Sequence, residues 1–400
     1  MSNSSNSDSF FSSSEAKPTQ TDNTQNAVDE TTDSAIVYCE GLFGEKGGEY
    51  ATRLLQHSEK YRVISVIDSR YAGSDTGIVL GEDPHGITLR KDLKEALAQI
   101  DIIPGALILA AAPTNSDTER QAILSAIENK LNIINAWTPY LSEDEEYVAA
   151  SEAQGVRLVD LSKPVADAKF ASFTGEIAQV TCPIVAVLGT DTQNGQRDTA
   201  IGITRGLNNV GVRTIMVSTG HEGLTQGARY GLVLESIPAE FKEGELEATI
   251  LRAFKEENPE MIIVEGQGAI GHQEDDTAET ILRGAQPGGV VIQHAPKRRQ
   301  RISNPDLNIP PLSGSVKYTE AFTEENKDQK DIKVIGITLN AENMTNPQLD
   351  AAVVWLESNL ERPVVEPLTH PTSQLVSMVA GGFPKIKRKL ENTAEPEADS

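Results

Sequence analysis

Residues 183–199, which read PIVAVLGTDTQNGQRDT, constrain the fold of this chain more than any other stretch. An apolar run typical of a buried strand ends at Gly189, a polar loop follows, and a helical pattern begins after Gly195. A strand, a glycine-bounded loop and a helix in this order are the layout of a phosphate-binding loop, where backbone N–H groups hold phosphate oxygens. The segment therefore predicts a phosphate-loop α/β fold. An ordinary strand-to-helix turn that needs two glycines is the alternative interpretation.

The residues of this loop are the candidate cofactor-binding groups. In the pattern G-x-x-x-x-G-K-[ST], the Lys contacts the terminal phosphates and the hydroxyl holds Mg²⁺. Gln196 stands at the Lys position and Arg197 follows it, so the groups that drive nucleotide hydrolysis are altered. ATP with Mg²⁺ is therefore a disfavoured ligand. We expect the cofactor to be bound by Gly189, Thr190, Asp191, Asn194, Gly195, Gln196 and Thr199.

Apolar strand-like runs alternate with amphipathic helical segments on both sides of a connecting stretch near residue 175. Alternation of this kind specifies a doubly wound parallel sheet. We therefore predict an α/β protein with two doubly wound parallel-sheet domains: a Rossmann-like domain over 35–175 and a P-loop NTPase-like domain over 176–386. The polar segment 1–34 and the charged segment 387–400 are predicted to be disordered tails.

The amino-acid composition limits the cellular compartment and the classes of partner that we expect. The 400 residues include 35 basic and 59 acidic side chains, which give a net charge of −24 and argue against nucleic acid and anionic membrane as partners. Two cysteines, Cys39 and Cys182, exclude a disulfide framework and fit a reducing cytoplasm. No apolar run is long enough for a transmembrane helix, and no signal peptide is visible. We predict a cytoplasmic protein with a small anionic ligand, and homo-oligomer formation stays open.

The loops that follow the strands of the second series hold the candidate catalytic residues, because ligands bind beyond the carboxyl ends of strands in open α/β sheets. Glu265 ends the apolar strand MIIVE and precedes two glycines. His272 and His294 lie in the next two loops, and imidazole suits base work near neutral pH. The alternative for Glu265 is a strand-terminal carboxylate in solvent, the alternative for His294 is a structural role, and His272 is a lone loop histidine. No spacing such as H-x-x-x-H occurs, so we predict no metal site.

A basic cluster stands out in this acidic chain. Lys297, Arg298, Arg299 and Arg301 follow a strand of the second series. Arg298 and Arg301 are the candidate substrate-binding residues, since a guanidinium forms bidentate hydrogen bonds with carboxylate and phosphate. A solvated surface turn is the alternative interpretation.

The first series also carries a glycine loop after its first strand. Gly41 and Gly44 lie in this loop, and Asp68 ends the next strand, as in dinucleotide-binding folds. The fingerprint G-x-G-x-x-G is absent, so turn formation is favoured over NAD binding. We predict that this domain does not use NAD as a redox cofactor.

Seven sequence blocks together resemble a known family. They are AIVYCEGLFGE, VISVIDSRYAGSD, FTGEI, VLGTDTQNGQRDTA, IVEGQGAIGH, RGAQPGGVVIQHAPKRR and PDLNIPPL. Over residues 35–383 the chain resembles the family known as domain of unknown function 1611, in which a Rossmann-like half precedes a phosphate-loop half. GTDTQNG and EGQG are also similar, more distantly, to dethiobiotin synthetase. Members of the family include D-glutamate N-acetyltransferases.

The resemblance implies transfer of an acetyl group from acetyl-CoA to an acidic amino acid such as glutamate. It implies that the phosphate loop holds the pyrophosphate of coenzyme A, and that Arg298 or Arg301 holds a substrate carboxylate. In this reaction the attacking amine must lose a proton, which calls for a base such as His272, His294 or Glu265. Backbone N–H groups would stabilise the oxyanion.

Two other functions stay open. One is a nucleotide-dependent kinase or ligase of the dethiobiotin-synthetase-like class, which Gln196 disfavours because phosphoryl transfer needs charge stabilisation. The other is a non-catalytic member that binds a ligand and regulates. The loop QEDDTAE, which follows His272 and departs from the family pattern, favours this last alternative.

Overall fold

The structure is a computed structural model that describes residues 33–58, 60–100, 103–164, 169–322 and 331–394. The tail predicted over 1–34 lies outside the described residues, except for its last two residues, which open the first strand. Both sheets described below belong to one compact unit, Thr32–Ser400. Within the described residues, no helix has the length and apolar character needed to cross a membrane.

The first sheet is formed by residues 33–160. Its strands are β1 (Asp33–Tyr38), β2 (Tyr61–Ile67), β3 (Leu89–Arg90), β4 (Ala106–Leu109), β5 (Asn132–Asn135) and β6 (Leu158–Asp160). The helices of this half are α1 (Glu49–His57), α2 (Thr76–Leu80), α3 (Leu93–Ala98), α4 (Asp117–Glu128) and α5 (Glu145–Gln154). The strand order is β3-β2-β1-β4-β5-β6 and every pair is parallel. This is the Rossmann order, with the chain reversing direction between β1 and β4.

Local sequence explains where these helices begin. Asp92, Ser116 and Asp144 precede α3, α4 and α5, and each side chain accepts a hydrogen bond from a backbone N–H of the first turn. Such caps satisfy N–H groups that have no partner inside the helix. The strands between them are apolar on both faces, as parallel strands covered by helices on both sides must be.

The second sheet is formed by residues 184–365. Its strands are β7 (Ile184–Gly189), β8 (Thr214–Ser218), β9 (Tyr230–Gly231), β10 (Met261–Glu265), β11 (Gly289–His294), β12 (Lys333–Leu339) and β13 (Val364–Val365). The helices of this half are α6 (Gln196–Asn209), α7 (His221–Gln226), α8 (Lys242–Glu257), α9 (Thr277–Ala285), α10 (Leu312–Ala321), α11 (Asn346–Leu360), α12 (Thr372–Gly381) and α13 (Pro384–Ala394).

The centre of this sheet is β7, in the order β13-β12-β11-β7-β10-β8-β9 with all pairs parallel. Every residue of β7 is buried. Val185 and Val187 pack into the cluster under α6 and α12, whereas Ala186 and Leu188 pack into the cluster on the other face. Burial of the Val and Leu side chains contributes about 1.5–3 kcal/mol each, so the loop after β7 stands on a rigid base.

The predicted fold class is confirmed, since two parallel α/β sheets are present. The stretch before β7 is tied to the second half, because Thr174 and Ile177 donate backbone hydrogen bonds to the buried carboxylate of Glu247 on α8. The domain boundary near residue 175 itself stays a prediction.

One predicted segment differs from the structure. Residues 387–394 were expected in a disordered tail, but they continue α13. Ile386 is buried in the core of the second half, Leu390 packs against it, and Lys389 pairs with Glu260 at 2.7 Å. The charged composition of this segment belongs to the outer side of an amphipathic helix. Residues 395–400 lie outside the described part of the chain.

Candidate functional site

The phosphate loop lies at the carboxyl end of β7, at the centre of the ligand edge of the second sheet. Five residues separate Gly189 from Gly195, one more than in the pattern G-x-x-x-x-G. Gly195 has φ 95° and precedes α6, whose first turn receives no side-chain cap. The N–H groups of this turn therefore remain available for an acceptor, and the helix dipole favours an anion there.

The side chain of Gln196 fills the floor of the loop. Its Oε1 accepts a hydrogen bond from the backbone N–H of Asn194 at 3.0 Å. Its Nε2 donates to the carbonyl of Asp191 at 3.0 Å and to the carbonyl of Gly268 at 3.2 Å. The residue is 5% exposed. Gln196 therefore joins the phosphate loop to the loop that follows β10.

Arg298, which follows β11, contacts the phosphate loop. Its guanidinium lies 3.2 Å from Asp191 and 2.9 Å from Glu342, and it donates to the carbonyl of Thr192 at 2.9 Å. Asp191 is fully buried and also accepts from the N–H of Ile302 at 3.2 Å. Arg298, predicted to bind substrate, is thus neutralised by two carboxylates and holds the loop.

Arg301 differs from Arg298 in its partners. It is 4% exposed and donates only long hydrogen bonds, to the carbonyls of Thr190 at 3.3 Å and Ile270 at 3.5 Å. In the described part of the chain its guanidinium has no carboxylate within ion-pair distance. Of the two predicted substrate-binding arginines, Arg301 is the one that keeps an uncompensated charge beside the phosphate loop.

Glu265 is engaged in a buried ion pair. Its Oε2 lies 2.7 Å from Arg197 and also accepts from the hydroxyl of Ser218, while the Arg197 Nε donates to Gln226 at 2.9 Å. Arg197 is 9% exposed and Glu265 is 2% exposed. The carboxylate of Glu265 is therefore committed to contacts inside the protein. The geometry thus gives Glu265 the role of a structural anchor between β8, β10 and α6.

His294 lies beside the loop at the end of β11. Its Nδ1 is hydrogen-bonded to the hydroxyl of Thr190 at 2.9 Å. Burial lowers the pKa of His294 to about 4, and the positive charges of Arg298 and Arg299 act in the same direction. The imidazole is therefore neutral at neutral pH. When Nδ1 is the donor to Thr190, the other ring nitrogen is left as a proton acceptor.

His272 has both ring nitrogens occupied. Nδ1 accepts from the N–H of Glu274 at 3.1 Å, and Nε2 is hydrogen-bonded to the hydroxyl of Ser303 at 3.1 Å. An imidazole that accepts at Nδ1 donates at Nε2, which leaves no free acceptor nitrogen. Of the three predicted catalytic residues, only His294 therefore combines closeness to the phosphate loop with an uncommitted ring nitrogen.

Thr199 and Asn194 are also turned into the protein. The hydroxyl of Thr199 donates to Gln293 at 2.7 Å, and Asn194 Nδ2 donates to the carbonyl of Gln293 at 3.0 Å. Both residues are fully buried. They fix the shape of the cradle, so direct contact with a phosphate would come from backbone N–H groups instead.

The first half of the chain reaches the same edge through aromatic side chains. Tyr50 of α1 and Trp137, which follows β5, pack against His221 at the start of α7 with centroid distances of 5.5 and 5.8 Å. Arg53 of α1 forms a two-pronged ion pair with Glu222, both hydrogen bonds measuring 2.7 Å. The carboxyl edges of the two sheets therefore meet at α7.

Sequence reasoning missed these contacts and the role of Arg197. Tyr50, Trp137 and Glu222 carry no spacing pattern that links them, because they come from distant parts of the chain. The one available signal was the position of Arg197 at the start of a buried helix. A buried arginine is almost always paired, which predicts a buried carboxylate nearby.

In the first half, the carboxylate of Asp68 is used by its own loop. It is fully buried, accepts from the N–H of Phe43 at 2.9 Å and pairs with Arg70 at 2.8 Å. Burial alone acts to raise the pKa of Asp68, but Arg70 and the backbone N–H donors outweigh burial and lower it. This carboxylate shapes the glycine loop. That the domain does not use NAD as a redox cofactor stays a prediction.

Acid should destabilise this protein through His294. Its pKa is lowered from 6.5 to about 4, so between these values the unfolded chain binds a proton that the folded chain does not. The stability that comes from the neutral imidazole is present above pH 6.5 and is lost as the pH falls toward 4. Between pH 7 and pH 5 we expect this group to remove about 2 kcal/mol from the free energy of unfolding.

Urea unfolding at the two pH values measures this loss. His294→Asn keeps a hydrogen-bonding atom near Thr190 but has no titrating ring, so its loss should be about 2 kcal/mol smaller than that of the parent. Equal losses in the parent and in His294→Asn would contradict the assignment.

Comparison with known proteins agrees with this architecture. A family model described as a domain of unknown function (DUF1611_C), P-loop domain, matches residues 171–376. A second, described as a domain of unknown function (DUF1611_N), Rossmann-like domain, matches residues 69–164. The crystal structure of a DUF1611 family protein from Anabaena variabilis ATCC 29413 superposes with a TM-score of 0.79 at 21% identity, and covers 87% of this chain and 99% of that chain.

Two relatives carry names. A protein from Tritonibacter scottomollicae named D-glutamate N-acetyltransferase is 23% identical over 65% of this chain and 76% of its own length. A protein of the same name from a Pseudoalteromonas species is 24% identical over 64% of this chain and 74% of its own length. Since the P-loop domain model alone spans more than half of the 400 residues, the chain belongs to the DUF1611 family.

Proposed function

We propose that this protein is an acetyl-CoA-dependent N-acetyltransferase that acts on an acidic amino acid such as glutamate. The names of the two relatives support the reaction class. The observation that carries the proposal is the position of His294, a neutral imidazole bonded to Thr190 of the phosphate loop. A proton acceptor at this place lies next to the cradle that would hold coenzyme A.

The uncapped first turn of α6 fits the pyrophosphate of coenzyme A, because an anion there is stabilised by backbone N–H groups and by the helix dipole. Acetyl-CoA supplies an acetyl group activated as a thioester. Arg301, whose charge is uncompensated, is the side chain we assign to an anionic group of cofactor or substrate. Arg298 is assigned the structural role of holding the phosphate loop in place.

The reaction forms a C–N bond between the amine and the acetyl carbon, and breaks the C–S bond. The amine must lose a proton as it attacks, and we assign that proton to Nε2 of His294, which returns it to the departing sulfur. In the free protein, Arg298 and Arg299 help to keep the pKa of His294 low. An anion bound near His294 favours the protonated imidazole and raises the pKa of His294, which strengthens the base.

The kinase or ligase alternative finds less support. Phosphoryl transfer depends on cations placed around the terminal phosphate. Gln196 is neutral, Arg197 is paired with Glu265, and Arg298 is paired with Asp191 and Glu342. Among the described residues around the loop, Arg301 keeps its charge, but no Lys stands at the position that contacts the terminal phosphate in the standard pattern.

The test is turnover by the purified protein. Acetyl-CoA mixed with D-glutamate should release free thiol at the same rate as N-acetylglutamate forms, with L-glutamate and D-aspartate tested in parallel. D-Glutamine, which has the same length and no side-chain charge, is the control and should react at least about tenfold more slowly, since a contact to a charged group is lost. Absence of thiol release with every acidic amino acid would reject the proposal.

A further inference from the structure

Gln196 occupies the position of the phosphate-loop Lys, and a glycine makes room for it. A Cβ atom on Gly189 would lie 2.1 Å from Nε2 of Gln196 and 2.8 Å from its Cδ. The side chain can therefore curl under the loop only because residue 189 is a glycine. Its amide is fixed by the hydrogen bonds to Asn194, Asp191 and Gly268 already described. The position that reaches the terminal phosphate in the standard pattern is here directed into the loop floor.

The arginines near the phosphate loop determine how much negative charge a ligand can carry there. Arg197 is compensated by Glu265, and Arg298 by Asp191 and Glu342. Arg301 donates to the carbonyl of Thr190 in the loop and has no carboxylate within ion-pair distance among the described residues. A terminal phosphate adds negative charge that needs a cation, in a protein whose net charge is −24. A diphosphate can rely on the backbone N–H groups of the loop and the first turn of α6.

We propose that Gln196 is a specificity-determining residue that makes this loop a diphosphate-ester site and removes its preference for nucleoside triphosphates. The inference rests on the proposed function, since it concerns the loop that would hold the pyrophosphate of coenzyme A. Gln196 offers nothing to a third phosphate, because it supplies no charge and its amide is already committed within the loop. ADP and ATP therefore bind equally, and both compete with coenzyme A.

Calorimetric titration of the full chain with coenzyme A, ADP and ATP, the nucleotides with Mg²⁺, tests this. For the parent we expect Kd values for ADP and ATP within about threefold of each other. Gln196→Lys restores the cation and should shift the ratio of the two Kd values at least about tenfold toward ATP, while the Kd for coenzyme A changes less.

Two controls separate charge from structure. Gln193→Lys adds the same charge at an exposed position of the same loop and should leave the ADP to ATP ratio within about threefold of the parent. Gln196→Met removes the hydrogen bonds without adding charge. Gln196→Met should lower the unfolding midpoint and leave the ratio of the two Kd values unchanged. If residue 196 had a purely structural role, Gln196→Met and Gln196→Lys would instead give the same ratio.

The inference is overturned if the parent prefers ATP to ADP by about tenfold or more, if Gln196→Lys leaves the ratio unchanged, or if the parent binds neither coenzyme A nor ADP. These results are distinct from a failure of the proposed function, which is the absence of acetyl transfer by the parent. A parent that transfers acetyl groups and still prefers ATP would overturn only the role of Gln196.

Discussion

We expect Arg197→Met to lower the free energy of unfolding by about 3–5 kcal/mol, because it leaves Glu265 buried and unpaired. The pair is 2.7 Å apart, and both side chains are at least nine-tenths buried. Met fills a similar volume, so the loss would come from the charge rather than from a cavity. Gln226 would also lose its guanidinium partner. Urea unfolding at neutral pH measures the change.

A double-mutant cycle shows whether charge is the cause. Arg197→Met combined with Glu265→Gln removes both charges and should recover most of the lost stability, since replacing both partners of a buried pair often costs little. Arg229→Met is the matched control. Its partner is Glu257, but Arg229 has 71% of its side chain exposed, so the change should cost less than about 1 kcal/mol. Equal costs for Arg197→Met and Arg229→Met would contradict the account.

The largest effect on activity is expected at His294. His294→Asn should lower kcat for acetyl transfer by about 10²–10⁴-fold, the usual contribution of a positioned general base. Asn has a polar atom close to the position of Nδ1 and can keep the bond to Thr190, but it cannot accept the proton. Steady-state kinetics with acetyl-CoA and the best amino acid substrate measure the effect, and KM for acetyl-CoA should change by less than about threefold.

His272→Asn is the control for a change of the same kind at the neighbouring candidate. His272 lies 3.1 Å from Ser303, and its other ring nitrogen accepts from Glu274. Since both nitrogens are occupied, the change should affect stability more than kcat. If His272→Asn lowers kcat more than His294→Asn does, the base is His272 and our assignment is wrong.

The fold could be predicted from sequence because its signal is local. The strand MIIVE at 261–265 and the strand before Gly189 are found at the predicted positions, since apolar runs bounded by turns depend on neighbouring residues alone. Most of helix α13 was assigned to a tail because five of its 11 residues are charged. Only Ile386 and Leu390 show its buried side, and two residues are too few to define a period.

The position of the phosphate loop could be predicted from the sequence, but the partners of its residues could not. The strand-loop-helix order placed the phosphate loop, because the carboxyl edge of a parallel sheet follows from topology. The partners of Arg298 could not be predicted, since Asp191 lies 107 residues away along the chain and a basic cluster does not reveal its carboxylates. Likewise, the ion pair between Glu265 and Arg197 could not be predicted, because the two residues are far apart along the chain.

The central claim is that this phosphate loop serves acetyl transfer without nucleotide chemistry. One reaction tests it most directly: the parent protein with acetyl-CoA, ATP, Mg²⁺ and D-glutamate, in which coenzyme A, N-acetylglutamate and ADP are quantified together over time. We predict equal amounts of coenzyme A and N-acetylglutamate, with no ADP above the level of a protein-free control. Formation of ADP that depends on glutamate, without release of coenzyme A, would contradict the account and favour a kinase or ligase.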